Sequence, residues 1–145
     1  MISAPDAADR VEQLNKLTER LTGLLAAEAA AFEARRPQDV AGALEETGRL
    51  ANLYRHESAR IKADPGLIAG ASPEARRRLM ETTQAFEAVL ARHGRALAAA
   101  KTVTEGIVTA IAEEVIAARR ARTPYGADAR APAADGSAIT LNKRA

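Results

Sequence analysis

A chain of 145 residues supplies one sizeable hydrophobic core at most, and a net charge of +2 is too small to mark a nucleic-acid binder. Its apolar residues comprise 36 alanines and only 32 larger side chains, a mix that favours long helices packed through narrow stripes over a sheet. The absence of cysteine excludes disulfides, thiolate nucleophiles and sulfur-ligated metals; with a start, MISAPDAADR, that has no apolar signal region, it points to a cytoplasmic protein.

The first periodic run is DRVEQLNKLTERLTGLLAAEAAAFEARR. Val11, Leu14, Leu17 or Thr18, Leu21, Leu24 or Leu25, Glu28 and Phe32 recur in steps of three and four, which predicts a helix over about 8–35. Asp6 or Asp9 caps its start, Arg35 and Arg36 suit its negative end, and Pro37 interrupts it. A second run resumes at once, with Val40, Leu44, Thr47, Leu50, Leu53 or Tyr54, and Ile61, giving a helix over about 38–62. The short break at Pro37 folds the two into an antiparallel hairpin.

The stretch DPGLIAGASPEA gathers two prolines and two glycines and reads as a loop. Ser72, Pro73 and Glu74 then supply an N-cap, a first-turn proline and a first-turn acid, so a third helix opens there. No proline follows before Pro124, and Leu79, Thr83, Phe86, Leu90, Leu97, Lys101, Thr104, Val108, Ile111 and Val115 keep helical spacing, so this helix spans 73–122. The expectation is an all-α fold: an antiparallel hairpin packed on one long C-terminal helix, like a three-helix coiled coil. It forms a single domain over 1–122, followed by a flexible basic tail over 123–145. No stretch approaches the roughly 18 uninterrupted apolar residues of a membrane span, so no membrane insertion is expected.

At 1.5 Å per residue the third helix is roughly 75 Å long, against roughly 40 Å for each arm of the hairpin. The hairpin's far end is reached near residue 100, leaving 101–122 as an overhang. That overhang carries Val103, Ile107, Val108, Ile111, Val115 and Ile116, a stripe too apolar to leave in water. A second copy of the chain, forming a homodimer, or a helix from another protein would cover it; a kink at Gly94 or Gly106 would instead fold it back on its own core.

Little else suggests chemistry. His56 and His93 stand on different helices without ligand spacing and read as half-exposed polar positions. The adjacent pairs Glu45–Glu46 and Glu113–Glu114 point to different helix faces, and Arg76, Arg77 and Arg78 read as a solvated charge run. With no phosphate loop, nucleophile elbow or catalytic triad, the chain reads as a non-enzyme without cofactor or metal. Residues 119–145 carry +4 and the remainder −2, but stacking aromatics and a nucleic-acid-binding motif are lacking, so no nucleic-acid partner is expected. Tyr54 keeps the helical spacing of a core residue. Tyr125, between Pro124 and Gly126, falls outside the stripe, where it is either a binding anchor or folds back on the last helix.

The ending TPYGADARAPAADGSAITLNKRA, with YGAD at Tyr125–Asp128 and the basic last stretch GSAITLNKRA, resembles that of the FlgN-type flagellar export chaperones. LTERLTGLLAAEAAAFEARRPQDV is similar to that family's first helix and LEETGRLANLYRHESAR to its second. The resemblance implies a cytoplasmic chaperone that binds the C-terminal helices of hook–filament junction proteins and brings them to the flagellar export gate. Under it, Val103, Ile107, Val108, Ile111 and Val115 carry the client, and Tyr125 docks on the gate. The rival reading is a homodimeric structural coiled coil with no part in secretion.

Overall fold

A computed structural model describes residues 1–123; the expected tail beyond Thr123, Tyr125 included, lies outside the described residues. The elements are α1 (Ala7–Glu33), a 3-10 segment (Pro37–Ala43), α2 (Leu44–Ala63), the one-turn α3 (Gly66–Ala69) and α4 (Pro73–Arg122), with no strand among the described residues. The chain divides into two compact units, Met1–Gly106 and a second that begins at Ile107, and α4 contributes to both.

In the first unit α1 is the central helix. Val11, Leu14, Leu17, Leu21, Leu24, Leu25 and Ala29 are buried, and so are Asn15, Thr18 and Glu28, because α2 and α4 both lie against it. Asp6 is the residue that caps it, its carboxylate accepting the Asp9 N–H at 2.8 Å. α2 runs antiparallel to α1: Arg20 forks onto Glu46 at 2.9 Å, while nearer the start of α1 Arg10 reaches Glu57 at 3.3 Å. α4 runs parallel to α1. Arg78 bridges Glu12 and Glu19, and further along Arg92 pairs with Glu33 and His93 Nε2 lies 2.9 Å from Glu28 Oε2. The exposed pairs fix register more than they stabilise, since each contributes about 1 kcal/mol or less.

The interior follows the predicted stripes. Leu21 and Leu25 pack with Phe86, whose ring meets Tyr54 at a centroid distance of 4.6 Å; Leu14 and Leu17 pack with Leu53, Ile61 and Leu79. Tyr54 is thus a core residue, as its spacing indicated. Ile2 joins them, 8% exposed, although the sequence around it has no periodicity. Its backbone N–H donates to Glu57 Oε1 at 2.8 Å, and Arg10 and Arg60 also donate to that carboxylate. Burial pushes the Glu57 carboxyl up, but the Ile2 N–H and the two arginines outweigh it and hold it below its ordinary value.

Several boundaries differ from expectation. α1 stops at Glu33 instead of running to about 35: Arg35 adopts a left-handed φ of 58°, its N–H reaching the Phe32 carbonyl and the Arg36 N–H the Ala31 carbonyl. This is a Schellman cap with arginine where glycine is usual. Residues 37–43 form 3-10 turns and α2 begins at Leu44, because the segment buries no side chain and has no side-chain cap to start an α-helix earlier. The expected loop holds the single turn of α3, with the Asp64 carboxylate accepting the Gly66 N–H. Leu44, Leu90 and Leu97, though in register with the predicted stripes, are exposed. The third predicted helix matches α4, and Ser72 Oγ accepts the Ala75 N–H at its start.

The left-handed Arg35 makes a simple prediction. Arg35→Gly removes a conformational cost of about 1–2 kcal/mol, partly offset by the larger unfolded-state freedom of glycine, about 0.5–1 kcal/mol. Urea unfolding is expected to show a small net gain, about 0.5 kcal/mol; a loss would mean that the Arg35 side chain holds the hairpin.

Candidate functional site

The helix α4 runs unbroken through Gly94 and Gly106, and every described residue from Lys101 onward is exposed. No break in helical structure falls at either glycine where a kink was an alternative. Ala96 is the last buried side chain of α4, and Glu33, the last helical residue of α1, meets Arg92. Ala100 is still half-buried, so the cover over α4 ends near residue 100, as the helix lengths indicated.

Val103, Ile107, Val108, Ile111 and Val115 are each 43–61% exposed, as is Ile116. At 100° per residue the first five fall within an arc of about 140°. Thr102, Thr109, Glu113 and Arg120 fall on the other side. Glu114 is the one charge inside the arc between 103 and 118, and Lys101, paired with Glu105, and Arg119 flank it. Aliphatic side chains dominate this face. It presents branched aliphatic side chains that gain about 25 cal/mol for each Å² they bury, bordered by charges that set the register of whatever lies along it.

The histidines fall in different settings. His56 is exposed on α2. His93 is only partly exposed, against Glu28 of α1 and edge-on to Phe32 at 6.1 Å. Among the described residues no group of histidine and acidic side chains is arranged to hold a metal ion. Likewise, no helix there is long and apolar enough to cross a membrane. Arg78, from the triple-arginine run, is an α1–α4 bridge and not merely a solvated charge. One further feature escaped the sequence reading, a groove on α2 lined by Arg49, Leu53, His56, Glu57 and Arg60. Their spacing along one helical face was a signal, but nothing local indicated that a groove forms there.

No protein-family model matches the chain, and no solved structure matches it. A curated relative does. The chain is 56% identical over 147 aligned residues, covering 99% of both chains, to the "Flagellar basal-body protein FlbY" of Caulobacter vibrioides (strain ATCC 19089 / CIP 103742 / CB 15). At that identity over the full length, the all-helical chain with its bare α4 face belongs to a flagellar family, that of FlbY.

Proposed function

We propose that this protein is a non-catalytic chaperone of flagellar export, acting in the cytoplasm. The α4 stripe receives the C-terminal helix of a hook–filament junction protein, and Tyr125 docks on the export gate. The observation that carries the reading is the stripe itself, aliphatic side chains about half exposed over about four turns of one helix. A partner helix laid along such a face buries its own apolar stripe at the same time, which is the physics of helix-in-groove recognition. A junction protein awaiting export needs that cover, because an assembly-prone apolar helix left in water associates prematurely. The flagellar family and the YGAD ending lend support from the side of sequence.

The test is molar mass by light scattering on a sizing column, for the protein alone and mixed with the C-terminal helix of a hook–filament junction protein from the same cell. A defined hetero-complex is expected. A concentration-independent homodimer that takes up no junction-protein helix would overturn the reading and leave a structural coiled coil in its place.

A further inference from the structure

A second surface lies wholly within the first unit and is independent of the α4 stripe. Arg49, Leu53, His56, Glu57 and Arg60 recur along one face of α2 and, with Met1, line a groove of about 540 Å³. Leu53, partly buried against the core, is its apolar element, and Arg49 and Arg60 are its basic ones. Glu57, 1% exposed, is the only acid among the lining residues, and its carboxylate is already occupied by the Ile2 N–H, Arg10 and Arg60. Arg10 and Arg60 outnumber it by one charge, and Arg49 adds another.

The remaining donors are available to a ligand. Arg60 uses a single terminal nitrogen on Glu57, leaving the rest of its five-donor fork open. Glu46, the acid that feels the charge of Arg49, is itself held by Arg20 across the hairpin. Exposed His56 adds a further nitrogen between the two arginines. We propose that this groove docks an acidic peptide segment: an apolar side chain seats on Leu53 while flanking carboxylates pair with Arg49 and Arg60. Arginine is suited to this, since its planar fork takes a carboxylate in two parallel hydrogen bonds. The buried Glu57 orients Arg60 without neutralising the site.

The experiment is a titration of the ¹⁵N-labelled full chain with acetyl-Glu-Glu-Leu-Glu-Glu-amide at near-physiological salt, followed by amide shifts. Saturable shifts are expected along the Arg49–Arg60 face and in Met1–Ser3. Arg49→Glu and the milder Arg49→Gln are both expected to keep the spectrum of the folded protein, since Arg49 is exposed, and to weaken binding about tenfold or more and several-fold respectively. Replacing the peptide's Leu by Ser is expected to weaken binding about tenfold, the loss of one buried aliphatic side chain. Two outcomes overturn the proposal. One is shifts of equal size at the Arg76–Arg77 run that ignore Arg49→Gln, which would be adsorption to any basic surface. The other is a Ser peptide that binds as well as the Leu peptide, which would leave Leu53 without a role.

Discussion

Ile111→Asp is expected to lower affinity for the junction-protein helix by at least about 100-fold, close to 3 kcal/mol, while helicity and melting stay at wild-type values. Ile111 is 55% exposed in the free chain, so its replacement leaves no cavity and the cost to folding stays within about 0.5 kcal/mol. In the proposed complex the same position lies at the middle of the stripe the client covers, where an unpaired carboxylate loses its water and gains nothing in return. Thr102→Asp on the opposite face of α4 is the matched control, expected to bind normally. Affinity unchanged by Ile111→Asp would remove the stripe from client binding even if a complex forms.

Glu57→Gln is expected to destabilise the fold by about 3 kcal/mol at neutral pH, because it leaves Arg10, itself nearly buried, without its counter-charge. The variant keeps the size of the side chain and an oxygen for the Ile2 N–H, so the loss reports charge and not shape. The dependence on pH has a definite sign. Because the folded carboxyl lies below its ordinary value of 4.5, the stability it contributes is present above that value and is lost as pH falls through the lower folded value. The gap between wild type and Glu57→Gln in urea unfolding is therefore expected to hold from neutrality to mild acid and to narrow below about pH 4.5. A gap that stays constant into strong acid would mean that packing, and not the ion cluster, is responsible.

The long helices were legible because periodicity and punctuation agree in them. Ser72–Pro73 fixed the start of α4, and unbroken spacing carried it to residue 122. The bare stripe followed from simple lengths, since a helix of some fifty residues outruns a hairpin of shorter arms. Illegible features were those decided by a partner far away in the chain. Glu57 looks like any exposed acid until Arg10, 47 residues earlier, and Ile2, 55 residues earlier, are brought to it. Leu90 and Leu97 share the helical period of Phe86 and Ala96, and only the placement of α1 and α2 decides which of two adjacent apolar rows is covered. The left-handed Arg35 was hidden for a different reason, because the sequence offers no glycine where the backbone makes its glycine-like turn.

The parallel course of α1 and α4 bears on the order of folding. Hairpin contacts such as Arg20–Glu46 close loops of 26 residues, whereas Arg78–Glu19, Arg92–Glu33 and His93–Glu28 join positions 59 to 65 apart. Contacts at greater separation carry a larger loop-closure cost and form later. On the ribosome, therefore, α1 leaves the tunnel first yet waits longest for its full cover, with one flank shielded by α2 and the other open until the first half of α4 has been made. For that interval the nascent chain itself displays an aliphatic helix face in need of a companion, the same predicament that it is proposed to relieve in its clients.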